Sequence, residues 1–138
     1  MKEFPLRLDR YFFTHQEVAA NPDFIQDDEN NPTHLELIVE GHASRLADHG
    51  HRYGITARVE PNQDESKNLP YFFSIMAFGI ISIKDDALGQ SAIESIIETS
   101  GIQLLFGAIR ERLADMTSRG PWDLIQLDFI PLTIKIDS

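Results

Sequence analysis

Cysteine is absent from the 138 residues, which excludes a disulfide framework, a thiolate nucleophile and a sulfur-ligated metal. Positive charge is scarce: 12 Lys and Arg stand against 22 Asp and Glu, a formal charge of −10. Binding to nucleic acid or to anionic lipid depends on clustered cations, so both classes are disfavoured. The N-terminal MKEFPLRLD lacks the apolar core of a secretory signal. The longest apolar run, Tyr71 to Ile83, falls short of the ~20 residues that a membrane-spanning helix needs and carries Ser74, Gly79 and Ser82. A cytoplasmic protein is the expectation. Catalytic motifs are also missing: there is no P-loop, GxGxxG, GxSxG or HExxH pattern.

What remains is an ordinary globular composition, 42% hydrophobic and 25% charged, of a length suited to one domain over residues 1–138. Phe4 to Val18 reads as a long strand with Phe4, Leu6, Leu8 and Phe12 on one face and Arg7, Asp9 and Tyr11 on the other. The Pro-, Asn- and Asp-rich stretch Asn21 to Pro32 is a connection, with Phe24 and Ile25 as its large apolar residues. Alternation resumes through Leu35, Leu37 and Val39, and again through Tyr53, Ile55, Ala57 and Val59, with LADHGH as a hairpin-like link. PNQDESKN then leads into the apolar strand.

Beyond it the period changes from two to about 3.6. Asp85 and Asp86 are placed to cap a helix, Ala92, Ile93, Ile96 and Ile97 form its stripe, and Gly101 interrupts it. A second helix carries Ile102, Leu105, Phe106, Ile109, Leu113 and Met116. Arg110, Glu111, Arg112 and Asp115 mostly take its wet side, and Gly120-Pro121 ends it. The tail LIQLDFIPLTIKI reads as extended. Consecutive strands followed by helices predict an α+β fold: a four-stranded antiparallel sheet packed by two helices, with an extended C-terminal segment.

Polar clusters give catalysis no foothold. His42 with His49 and His51 could approach one ion, but no acidic third ligand stands in register, and polar hairpin residues explain them. Asp27, Asp28 and Glu29 lack the alternating ligands and central glycine of a calcium loop. No enzyme activity, metal or cofactor is expected. The stronger signal is apolar surface. In the run Tyr71 to Ile83, Phe72, Met76, Phe78 and Ile80 point one way while Tyr71, Phe73, Ile75, Ala77, Ile81 and Ile83 point the other. A chain this short covers one side with its own helices, and the other side asks for a partner.

Over Phe78 to Pro131 the residues resemble SecB, the bacterial protein-export chaperone family. GIISI in Gly79 to Ile83 is similar to the family's strand ending, and Leu105, Phe106, Ile109, Arg110, Glu111, Leu113, Met116, Ser118, Arg119 and Gly120 match its long-helix pattern. The resemblance implies a four-stranded antiparallel sheet backed by helices, assembled as a homodimer or homotetramer. It further implies an ATP-independent holdase that binds unfolded polypeptides or preproteins for export, with SecA as a family partner. It places oligomer-interface positions at Phe73, Ile75 and Ala77. Peptide-binding positions fall at Phe24 and Ile25 in the connection and at Leu37 and Val39 on the neighbouring strand. Two departures stand out. The family's terminal helix has no counterpart before Ser138, and His15, Ala19 and Ser74 occupy positions that are acidic where SecA binds. Two alternatives stay open: a dedicated chaperone of one partner such as an antitoxin, and a small-ligand-binding α+β protein using the histidines.

Overall fold

A computed structural model describes residues 6–46, 51–84, 88–128, 134, 136 and 137. Strands β1 (Leu6–Ala20), β2 (Leu37–Arg45), β3 (Arg52–Pro61) and β4 (Tyr71–Ile83) precede helices α1 (Gln90–Ile96) and α2 (Ile102–Thr117), and a short strand β5 (Ile136–Asp137) follows. The sheet order is β1-β4-β3-β2-β5. The first four strands pair antiparallel. β5 lies parallel to β2, opposite Ala43 and Ser44, so the tail that reads as extended returns to the sheet as a fifth strand.

β4 sits between β1 and β3, paired along both of its edges. One face is packed under the helices: Tyr71, Phe73, Ile75, Ala77, Ile81 and Ile83 are buried, with Ile55, Ala57 and Val59 of β3 beside them. From above, Ile93, Ile97, Ile102, Leu105, Phe106, Ile109 and Leu113 close the core. Burying a side chain of this size contributes roughly 1.5–3 kcal/mol, so this layer dominates the fold's stability. The opposite face is open. On it Phe72, Ser74, Met76, Phe78 and Ile80 alternate with the buried set, and the paired β1 residues Phe12, His15 and Ala19 join them.

Two local expectations change. β1 does not keep one face along its length, because the register shifts between Leu8 and Arg10 and again between Phe13 and His15. Each bulge moves the following residues to the other side. Leu6 and Leu8 therefore lie opposite Ile83 and Ile81 on the covered face, while Phe12 lies opposite Phe78 on the open one. There the Phe12 and Phe78 rings meet at 5.5 Å and the Arg10 guanidinium sits over Phe12.

Nor does Gly101 interrupt the helix. A π-helical turn, Ile97–Gly101, joins α1 to α2. Gly101 has ordinary helical dihedrals, and a Cβ there would come within 2.6 Å of Ile55 Cδ1. Its lack of a side chain brings the helix down onto β3. α1 starts after Gly89 without a side-chain cap, and Asp85 and Asp86 lie outside the described residues. The helical stretch Gln90–Thr117 is long and apolar enough to cross a membrane by length and composition, but here its apolar side lies across the sheet.

Candidate functional site: a groove bordered by the C-terminal strap

After α2 the chain crosses back over the helix as an extended strap, residues 122–128. Three side chains anchor it. The Tyr71 hydroxyl donates to the Trp122 carbonyl and accepts from the Trp122 N–H, both at 3.0 Å. Thr117, fully buried, accepts from the Ile125 N–H at 2.8 Å while donating to the Leu113 carbonyl. Arg110 Nε donates to the Leu127 carbonyl at 2.8 Å. Arg110 and Thr117 stand seven residues apart and so share one side of the helix. Arg110, expected among the wet-side residues, is thus half-buried and holds the strap. The pattern of a polar residue two turns from another on an otherwise apolar side was the available signal.

Gly120 explains why this turn tolerates no side chain. A Cβ there would collide with the Tyr71 ring and hydroxyl, so the strap's start packs directly on β4. Replacing Tyr71 by Phe leaves the Trp122 N–H and carbonyl without this partner, an expected loss of about 1–3 kcal/mol. Trp122 is the chain's one tryptophan. Urea unfolding followed by its fluorescence would read the change.

The strap forms one wall of a groove of about 710 Å³. Gln126, Leu127 and Asp128 line that wall, and Thr33, Leu35, Glu36, Leu37 and Val39 line the other. Leu37 and Val39 reach it because they lie on the covered face of β2, near the sheet edge where helix cover thins. A smaller cavity of about 140 Å³ follows along the same strap between Phe24, Pro70, Trp122 and Leu124. There the Phe24 and Trp122 rings meet edge to face at 4.9 Å.

The connection carrying Phe24 is fixed despite having no regular structure. Asn68, at φ 48°, accepts from the Ile25 N–H and donates to the Ile25 and Asn31 carbonyls. Asn21 donates to the Leu69 carbonyl at 2.7 Å. Asparagine is among the few non-glycine residues that accept such a backbone, and its amide here substitutes for strand pairing.

Of the four positions expected to contact peptide, Leu37 and Val39 share the larger groove and Phe24 lines the smaller cavity. Ile25 lines neither of these two and is 58% exposed. Leu35, Trp122, Leu124 and Leu127 were missing from that set.

The three expected interface positions lie in the helix-covered layer of one protomer. Phe73, Ile75 and Ala77 are 5%, 0% and 0% exposed within one protomer, because the helices occupy that face of β4. Their alternates on the open face are Phe72, Met76 and Phe78. His15, Ala19 and Ser74 lie on that same open face, by the register of β1 with β4. Among the described residues no three His, Cys, Asp or Glu come together that could hold a metal ion. His49, one of the histidines weighed for such a site, lies outside them.

The architecture overlays on that of the SecB-like chaperone Rv1957 of Mycobacterium tuberculosis, solved with a ChAD peptide from the HigA1 antitoxin Rv1956, with a TM-score of 0.64. The match covers 91% of each chain at 12% identity. The fold is SecB-like. A protein of unknown function from Streptococcus agalactiae overlaps more loosely, with a TM-score of 0.46 at 13% identity over 90% of this chain and 97% of that one. No protein-family model and no curated protein matches at the sequence level. In this SecB-like fold the groove lies between β2 and the extended strap.

Proposed function

We propose that the protein is an ATP-independent holdase that binds non-native polypeptide in extended form along the strap-bordered groove. The observation that carries this reading is the groove itself. Its walls are apolar at Leu35, Leu37, Val39 and Leu127, and it leads toward the aromatic pair Phe24–Trp122. It is an open groove and not an enclosed cavity, a shape that admits an extended chain. The likeness in fold to a chaperone solved with a bound peptide supports the same reading. An acidic surface would keep a protein with sticky clients dispersed. Self-association belongs to the proposal: a second copy would cover the apolar open face at Phe12, Phe72 and Phe78 and supply further grooves, raising affinity through avidity. A cytoplasmic setting without catalysis completes it.

Aggregation of a chemically denatured model protein, followed by light scattering, tests the reading. Suppression at a few-fold molar excess is expected, and no protection at any ratio would end it. A second reading, a chaperone dedicated to one partner such as an antitoxin, is favoured by the antitoxin peptide in the Mycobacterium tuberculosis complex. A pull-down that returns one dominant client, rather than many, would select it. SecA has no part in this proposal, since the implied contact positions themselves carry His15, Ala19 and Ser74 in place of carboxylates, although Glu17 lies opposite Ser74.

A further inference from the structure

The outer edge of β2 is a polypeptide site in its own right. Leu46 N–H donates to the Arg52 carbonyl and Asn62 N–H to the Glu36 carbonyl, and the β2–β3 register runs between these points without a shift. Hydrogen-bonded pairs alternate along an antiparallel ladder. The even-numbered residues Ile38, Glu40, His42 and Ser44 therefore bond to β3. Leu37, Val39, Gly41 and Ala43 turn their N–H and C=O groups outward, toward the side where β5 lies.

Among the described residues, β5 meets this edge at Ala43 and Ser44 alone, in parallel pairing. Just ahead of it, Ile134 fills a specific place. Its N–H donates to the Glu98 carbonyl at 2.9 Å, within the π turn, a kind of helical irregularity that often accompanies function. A Cβ on Gly41 would lie 2.9 Å from both Ile134 Cγ2 and Ile102 Cδ1. Gly41 thus leaves open the space that the Ile134 side chain occupies against the helix. Ile136 packs against the core two residues on.

We propose that β5 is a resident occupant of a strand-addition site, and that an extended client segment displaces it. The client would run parallel to β2 and place a β-branched apolar side chain over Gly41, with its N–H on the Glu98 carbonyl. The inference rests on the client-holding reading and adds the mode of binding. Three observations favour it. Among the described residues β5 pairs with β2 at two positions, and a ladder of that length adds little to what a client strand must displace. Main-chain hydrogen bonds give affinity without demanding a sequence, while pockets for alternate side chains give selectivity. The same strand borders the groove, because Leu37 and Val39 lie just before Gly41.

The test uses the full chain and a fluorescein-labelled peptide of residues 132–138, LTIKIDS. Fluorescence anisotropy should show tenfold or tighter binding to the double variant Ile134→Ser, Ile136→Ser than to the unmodified protein. Adding Gly41→Val to that variant should abolish binding. Equal affinity in the unmodified and double-variant proteins overturns the proposal. If the double variant does not fold, amide hydrogen exchange on the unmodified chain with excess peptide decides. Faster exchange at Ile134 and Ile136 with Ala43 still protected supports displacement, and unchanged exchange at Ile134 and Ile136 overturns it. Light scattering of the same samples identifies a third outcome: exchange of β5 between two copies would appear as a dimer and would also overturn it. Suppression of aggregation without any of these peptide effects would leave the holdase reading standing and remove only the binding mode.

Discussion

Phe73→Asp is expected to unfold the protein, not to change its assembly. Phe73 lies under the helices at 5% exposure, inside the same layer as Ile75 and Ala77. A carboxylate at that position has no cation to pair with in the surrounding apolar cluster. Leaving it there charged costs several kcal/mol, and removing the ring adds a further loss of about 3–5 kcal/mol. Small domains are stable by about 5–15 kcal/mol in all. Far-UV circular dichroism should show a lost or strongly lowered thermal transition. Phe72→Asp is the control: its side chain is 38% exposed on the open face, so the fold should survive. If self-association uses that face, multi-angle light scattering should report a smaller particle for Phe72→Asp. A folded Phe73→Asp variant of reduced mass would instead place Phe73 at an interface and contradict the packing described above.

The largest functional effect is expected from Leu37→Asp combined with Leu124→Asp. The two residues sit in neighbouring cavities along the strap, one on β2 and one on the strap itself. Leu124 is 44% exposed, whereas Leu37 is half-buried against the core, so the melting temperature of the variant is measured beside its activity. A bound client would bury both. Losing two large apolar contacts removes roughly 3–6 kcal/mol of client binding, a hundredfold or more in affinity. The readouts are aggregation suppression and quenching or shift of Trp122 fluorescence on addition of an unfolded client. Retained suppression with an unchanged melting temperature would move the client surface away from this groove. The open face around Phe12, Phe72 and Phe78 would then be the next place to look.

Periodicity alone exposed much of this architecture. β4 was legible over Tyr71–Ile83, with its two faces assigned to the right residues, because alternation depends only on the two-residue repeat of an extended chain. The helix stripe from Ile102 to Leu113 was legible for the equivalent reason. β1 was misassigned beyond Asp9, since a bulge leaves no mark in a hydrophobic pattern that continues as LDRYFF. Gly101 read as a break because helix propensity penalises glycine, whereas close approach to Ile55 overrides that preference. The groove was half legible. Leu37 and Val39 belong to an alternating strand and Phe24 stands out in a polar connection. Trp122, Leu124 and Leu127 lie in a segment with no period, and only the bonds from Tyr71, Thr117 and Arg110 place them.

The sequence by itself determined the elements, their order and the excess of apolar side chains on β4, all properties of near neighbours along the chain. It could not say which face of β4 the helices would cover, because both faces offer enough apolar area. Tertiary structure made that choice, packing the helix stripe on Ile55, Ile75 and Ile81, with Gly101 letting it approach β3 closely. It also turned a tail without periodicity into a groove wall and an edge strand. Hydrogen bonds between residues dozens of positions apart decide such matters, and no local pattern encodes them.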